Sequence, residues 1–407
     1  MRVLYIFILL IGNLYSYELQ LTKGWHLLGA VENIKVDILK TENNCIDYVW
    51  KYDETWKLFV ANGGDYNYAG ETFSFINKGE GFWIKANKEC NITYNKYENL
   101  QINDTYYQYQ WNLNPNSFYH QDRVAAKNSD INISLAWAQT LGEEVKVAVI
   151  DDCFDINHED LYKNVYKAFN ANDFSSNVFG SNCHGTEVAG VLGASLNDKG
   201  IVGVAPKAKL ILISINLSYS YESDFINAFE YAKQQGAKVI NCSWGSGEIT
   251  QSLKDELERI RKSGIVTVFA SGNSGDDLDS EYIDDESEDP NVIGVGATDE
   301  TNDVAYYSNY GSNIDILAPG GTPDLGIYLL KNNNDYGVEA GTSFSAPTVS
   351  GAIALLLSKK SNLSFFDVRE KLIITADKIG KENGANYING FDRYRAYGKI
   401  NVGNLLK

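Results

Sequence analysis

Positive charge is scarce in this chain: 35 Lys and Arg face 53 Asp and Glu over 407 residues, a formal charge of −18. That deficit argues against nucleic acid and against anionic membrane surfaces as main partners. Long apolar runs are equally rare. Beyond the N-terminus none approaches the ~20 residues a membrane span needs, and Ala352 to Leu357 is far too short. Histidine occurs only at His26, His120, His158 and His184, so chemistry that needs an imidazole has few places to go. Five cysteines leave at least one thiol free in a monomer, which is the expected state of the chain. No internal repeat is evident. With 44% apolar and 22% charged residues the composition is that of an ordinary globular protein, long enough for two domains and a large core.

What is present begins with Met1-Arg2, the apolar run Val3 to Ile11, and a small residue at Ser16. One positive charge, a short apolar core and a small residue make a secretory signal peptide over residues 1–17, cleaved near Ser16 or Tyr17. The chain is therefore expected to be exported, with no transmembrane segment after cleavage. Export would allow Cys45 and Cys90 to pair. Residues 18–97 are rich in Trp, Tyr, Phe and Gly, with GWHLLGA (Gly24 to Ala30), VWKYDETWKLF (Val49 to Phe59) and GEGFWIKA (Gly79 to Ala86). Aromatic and β-branched residues between Gly/Asn turns predict short strands and a small all-β domain. His26 lies in one such stretch and reads as structural.

Residues 98–142 read as a connector and the start of the next domain, with helical spacing over Ile131 to Gly142. From residue 143 onward the pattern changes. Continuous apolar strands are predicted at Val145 to Asp151, Lys209 to Ile215, Lys238 to Cys242, Ile265 to Ala270 and Val292 to Val295. Helices are predicted between the first four, at Thr186 to Leu196, Ser223 to Gln235 and Gln251 to Lys262. Buried strands alternating with helices predict an α/β fold around a mostly parallel sheet covered on both faces.

In such sheets functional groups collect at the carboxyl ends of the strands. Asp151 ends the first. NCHGTEVAG places His184 at the start of a helix, and GTSFSAP opens another at Ser343, with Pro347 expected in its first turn, where a missing N–H costs little. A carboxylate, an imidazole and a hydroxyl at element termini are the parts of an activated serine nucleophile. The order Asp, His, Ser is subtilisin's, which is a known template for that order. The G-x-S-x-G elbow of the α/β-hydrolases is absent around Ser343.

Here VAVIDDCFDINHEDL, HGTEVAGVLGAS and GTSFSAPTVSGAIALLL resemble the three catalytic boxes of the subtilisin-like serine peptidases, over about Asp104 to Lys407. The resemblance implies a three-layer αβα sandwich, no cofactor for catalysis, and protein or peptide substrates. It implies that FASGNSG supplies an oxyanion-hole amide from Asn273, and that Ser243-Trp244-Gly245 in NCSWGS binds substrate by strand addition. Trp244 would wall a subsite or belong to the core. Ser271 and Gly272 would line the pocket for the residue before the scissile bond. His158, in the loop after Asp151, reads as structural.

Asp152 stands where many family members have Ser or Thr. The Asp-Asp pair is similar to the kexin and furin branch, where the second Asp favours a basic substrate residue, although Cys153 departs from that branch's Gly. The run Asp276 to Asp289 has nine carboxylates and no Lys or Arg; it reads as a solvated loop, with cationic substrates or calcium as alternatives. Asp160 and Asn197 match the family's calcium site, with carbonyls of Ser195, Lys199 and Ile201 around them; the bland alternative is an ordinary Asn/Asp loop. The resemblance also brings Cys153 near Cys183, as a disulfide or as two thiols. Residues 18–97 are similar to GWNLLG-type modules of bacterial surface and secreted proteins, and do not look like the family's inhibitory N-terminal domain. They read as a binding module or as a spacer whose aromatics are core. A rival reading of the whole chain is a surface adhesion protein with an inactive peptidase-like domain.

Overall fold

In the computed structural model of the protein, residues 16–29, 34–35, 45–53, 55–60, 75–76, 80–95, 100–117, 125–245, 248–280 and 284–407 are described. The signal-peptide expectation therefore falls almost wholly outside the described residues, as does His120. The chain divides into two units, Met1–Leu100 and Gln101–Lys407.

The first unit is all antiparallel β. Strands β2 (Gly24–Gly29), β7 (Gly81–Ala86), β4 (Ile46–Asp53) and β5 (Thr55–Val60) form one sheet in that order. Two pairs accompany it, β1 (Ser16–Leu21) with β8 (Cys90–Asn95) and β3 (Ile34–Lys35) with β6 (Phe75–Ile76). Its core is aliphatic as much as aromatic: Ile46, Val49, Leu58, Ile76, Phe82 and Ile84 are buried. Period-2 alternation turns Phe82, Ile84 and Ala86 inward, while Trp25 and Leu27 on β2 stay about half exposed. The aromatics of this unit are thus not simply core. His26 Nε2 lies 2.7 Å from the Thr22 carbonyl, a local hydrogen bond that suits its structural reading.

The second unit is built on seven strands, β9 (Lys146–Asp151), β10 (Val165–Asn170), β11 (Lys209–Ser214), β12 (Val239–Cys242), β13 (Val266–Ala270), β14 (Val292–Thr298) and β15 (Ile316–Pro319). They are all parallel and lie in the order β10-β11-β9-β12-β13-β14-β15. The chain runs from β9 out to one edge, returns, crosses β9 and continues to the other edge. The order therefore reverses at β9, and Asp151 ends the strand at that switch point. Alternate residues face opposite layers. Ala148, Ile150, Ile211, Ile213, Ile240 and Cys242 meet helices α3 (Glu222–Gln234) and α4 (Gln251–Lys262) through Phe229, Ala232, Leu253, Leu257 and Ile260. The opposite face is covered by α2 (His184–Gly193) and α5 (Thr342–Lys359). Burial on both faces is why these strands read as continuous apolar runs.

Four features differ from expectation. The stretch 131–142 holds only the one-turn helix α1 (Ser134–Trp137). It is docked rather than linking: Trp137 and Trp111 are buried, and their indole N–H groups donate to the carbonyls of Val204 and Gly326. Strand β10 and the hairpin β16 (Ile327–Lys331) with β17 (Asp335–Glu339) were not expected. The acidic run 276–289 is anchored rather than freely solvated. Leu278, Glu286 and Ser287 are buried, Arg393 pairs with Asp277 and Asp279, and Lys254 pairs with Asp284. Its countercharges come from elsewhere in the chain. Two further short helices, α6 (Phe365–Thr375) and α7 (Val402–Leu405), complete the unit. Among the described residues no helix is long and apolar enough to cross a membrane.

Candidate active site

Asp151 is fully buried at the end of β9, and its Oδ1 accepts the backbone N–H of Asp152 at 2.8 Å. The same oxygen lies 2.9 Å from Nδ1 of His184, the first residue of α2. A carboxylate can only accept, so in the neutral ring Nδ1 carries the proton and Nε2 keeps its lone pair. Gly185 explains the close approach: a Cβ there would stand 2.5 Å from the Cys153 carbonyl and 2.9 Å from the Asp151 Cβ. Burial disfavours the imidazolium, yet the Asp151 charge and hydrogen bond, helped by Glu187 and Asp152, raise the His184 pKa to about 9. Cys153 and Cys183 are joined as a disulfide, with Cα atoms 4.8 Å apart. Cys45 is also disulfide-bonded, and Cys242 is a buried thiol whose pKa burial raises.

Ser343 is the second residue of α5 and is half-buried. Pro347 is not in the first turn, as expected, but at the sixth position of the helix. Its missing N–H would have gone to the carbonyl four residues back, that of Ser343. Ser243 Oγ takes that place and donates to the Ser343 carbonyl at 2.8 Å. Behind it runs a buried chain: Asn241 Nδ2 donates to Ser243 Oγ, and Ser350 Oγ donates to Asn241 Oδ1. The first turn of α5 is thus tied to β12. The Ser343 hydroxyl itself donates to the Ser243 carbonyl at 3.3 Å. The neighbouring Phe344 ring lies 5.9 Å from the imidazole, centroid to centroid.

Asn273 follows β13. Its Oδ1 accepts from the Thr342 N–H at 2.8 Å and from Thr342 Oγ1 at 2.9 Å. With the oxygen so engaged, Nδ2 is the donor of the amide not used in that contact. Gly272 is required beside it: its φ is +98°, and a Cβ would meet Asn309 Nδ2 at 2.5 Å. Ser271 is buried, with its hydroxyl on the Asn309 carbonyl, so it offers only backbone to any pocket. Of the two readings of Trp244, the core holds: the side chain packs on Phe225 and Phe269, and its N–H donates to the Ile150 carbonyl at 2.8 Å. Gly245 is exposed, and a Cβ there would lie 3.4 Å from Asp285 Oδ2 and 3.6 Å from Glu286 Oε2. Asp152 faces elsewhere: its oxygens accept backbone N–H groups of Cys153, His184 and Gly185.

At the calcium candidate, Asp160 Oδ2 accepts from the Ile201 N–H and Asn197 Oδ1 from the Lys199 N–H. Asp160 Oδ1 is buried with no hydrogen-bond partner. A second such oxygen, Asp104 Oδ2, belongs to a residue the sequence did not flag; Asp104 Oδ1 accepts the Asn197 N–H. No local pattern marks Asp104, because its partner is 93 residues away. Burial pushes Asp104 up to about 6, and burial with the nearby Asp104 charge pushes Asp160 up to about 8. Two orphaned carboxylate oxygens beside an Asn and backbone carbonyls are a donor set that fits calcium. His158, buried nearby, contacts the Asp335 carbonyl and accepts the Asp160 N–H, which matches its structural reading.

Residues 142–391 match the family model for the subtilase family. The chain is 34% identical over 309 residues to a thermophilic serine proteinase from Bacillus sp. (strain AK1), covering 75% of this chain and 69% of that protein. It is 38% identical over 241 residues to subtilisin DY from Bacillus licheniformis, covering 59% and 86%. Among solved structures, a protease from Pseudoalteromonas arctica PAMC 21717 superimposes with a TM-score of 0.63 at 24% identity, covering 75% of this chain and 98% of that one, and so bears on the fold alone. With a parallel sheet sandwiched between helices and these sequence matches, the chain belongs to the subtilase family and is a serine-type endopeptidase.

Proposed function

We propose that the enzyme is exported and cleaves peptide bonds with Ser343 as nucleophile, His184 as general base, Asp151 as its orienting carboxylate and Asn273 as oxyanion donor. The observation that carries this reading is the His184–Asp151 hydrogen bond of 2.9 Å, made at the end of β9 by the first residue of α2. For attack, the Ser343 hydroxyl turns from the Ser243 carbonyl to Nε2 of His184; such bonds commonly tighten only once substrate is bound. Nε2 takes the proton as Oγ bonds to the carbonyl carbon, and later returns it to the leaving amine. Asn273 Nδ2 and the Ser343 N–H donate to the oxygen as it becomes negative. A fluorophosphonate probe tests the assignment: it should label wild type and fail on Ser343→Ala. An unlabelled wild type would favour the inactive adhesion reading. Export is supported by the signal-like N-terminus and by the disulfide beside the site.

The substrate would lie extended along Ser243 to Gly245, bonded through its main chain. A preference for Arg or Lys just before the scissile bond is better supported by Asp285 beside Gly245 than by Asp152. In a fluorogenic peptide panel, Arg or Lys at either of the two positions before the bond should gain about fivefold over Leu, the ~1 kcal/mol of a partly exposed ion pair. Equal rates for both sets would refute it.

Calcium, if held by Asp104, Asp160, Asn197 and the carbonyls of Ser195, Lys199 and Ile201, would supply charge balance to the fold and no catalytic step. The two carboxyls have folded pKa values near 6 and 8 against 3.8 ordinarily. Their proton-linked stability is therefore complete below about pH 4 and is lost as pH rises through 6 to 8. A cation replaces those protons. In Ser343→Ala protein at pH 8, calcium at about 100 times its Kd should add about 2.7 kcal/mol, or roughly 4 °C in Tm. The gain should shrink at pH 5 and vanish in Asp160→Asn. A chelator-independent Tm at pH 8 would remove the site.

A further inference from the structure

Helix α2 begins without a cap of its own. Its N-cap residue, Cys183, supplies no side-chain acceptor, because its sulfur is bonded to Cys153. The first N–H groups of any helix lack intrahelical partners and carry partial positive charge. Here they are met from 32 and 33 residues upstream: Asp152 Oδ2 accepts the His184 N–H at 3.2 Å, and Oδ1 accepts the Gly185 N–H at 3.0 Å. The Cys153–Cys183 bond joins the same two segments one residue along. Three consecutive residues, Asp151, Asp152 and Cys153, thus grip Cys183, His184 and Gly185 through the imidazole, the helix end and a covalent bond.

We propose that Asp152 is a positioning residue: it caps, from outside, the helix that carries His184, and so holds the imidazole on Asp151 before substrate arrives. The inference rests on His184 being the base. It gives Asp152 a different task from the basic-substrate contact expected from the sequence, since an oxygen already accepting helix amides is turned inward. A second consequence is electrostatic. The carboxylates facing His184 are Asp151, Asp152 and Glu187, and Glu187 is paired with Lys331. Asp152 therefore also favours the imidazolium.

The experiment compares Asp152→Ala and Asp152→Asn with wild type. Asn keeps one acceptor and the shape of the cap but loses the charge. In Ala, kcat should fall about 10- to 100-fold, as expected for a displaced base, with KM unchanged for basic and for apolar peptides. Asn should recover part of kcat. Both should move the acid limb of kcat/KM to lower pH. The same shift should be read directly by NMR titration of the four histidines in Ser343→Ala protein with and without Asp152→Asn. That readout needs neither turnover nor the alanine variant to fold, and it stands even where wild type proves inactive and the triad assignment fails. A rise in KM confined to Arg and Lys peptides, with kcat and the histidine titration unmoved, would make Asp152 a substrate contact and overturn the proposal. No change in any quantity would overturn it equally.

Discussion

Ser343→Ala should lower turnover by about a million-fold while leaving Tm within a degree or so of wild type. The magnitude is subtilisin's own for loss of its serine, carried here by family membership. The local reason for intact folding is specific to this chain. The fixed contact of Ser343 is its carbonyl, held by Ser243 Oγ because Pro347 leaves it without a helical donor. The hydroxyl makes one long hydrogen bond, to the Ser243 carbonyl at 3.3 Å. Removing it deletes the proposed nucleophile and little else. Steady-state assays on a freshly purified alanine protein, with calorimetry alongside, check both halves. Residual activity above about one part in a thousand would mean that another group attacks, since loss of the nucleophile leaves little more than binding and the oxyanion site.

The second largest effect is expected at Asn273. Replacing it by Ala should cost about 100- to 1,000-fold in kcat with KM nearly unchanged, because the amide serves an oxygen that is charged only in the transition state. The range is again the one known for subtilisin's asparagine. Thr342 donates to Oδ1 twice, from N–H and from Oγ1, which holds the amide in place and leaves Nδ2 as the donor for the proposed oxyanion. Asn273→Asp keeps those two bonds and turns a donor into a like charge, so it should be at least as slow as the alanine. If instead KM rises and kcat holds, Asn273 binds ground-state substrate and the oxyanion assignment fails. A modest loss of stability, about 1 kcal/mol, should accompany Ala, since the Thr342 N–H at the start of α5 loses its acceptor.

The pH response follows from the same geometry. As the proposed base His184 must be neutral to act, and its pKa lies above the ordinary 6.5, so kcat/KM should still be rising above that pH. Because the folded pKa is raised, the imidazolium adds stability that is complete below about 6.5 and lost as pH climbs towards 9. The site gains its base as it gives up that contribution.

The sequence by itself determined the core of the second unit and the order of its chemistry. Strands buried on both faces must be apolar along their whole length, so β9, β11, β12 and β13 could be read within a residue or two. Strand β10 could not, because it is an edge strand with exposed positions such as Tyr166. The proposed Asp151, His184, Asn273 and Ser343 stand out in the sequence because each lies at or just beyond an element terminus inside its own local motif. What those motifs cannot carry is the direction of a side chain whose partner is distant in sequence. Trp244 could equally have walled a subsite until its N–H was found on Ile150, 94 residues away. Asp104 was invisible in the connector until it met Asn197. Asp152 looked like a specificity residue by its place beside Asp151, yet it faces the amides of residues 184 and 185. Trp244 and Asp152 were decided by the strand order β10-β11-β9-β12, which brings the loops after non-consecutive strands to one end of the sheet. Periodicity and motif are properties of a few neighbouring residues, whereas that juxtaposition exists only once the sheet has closed around β9.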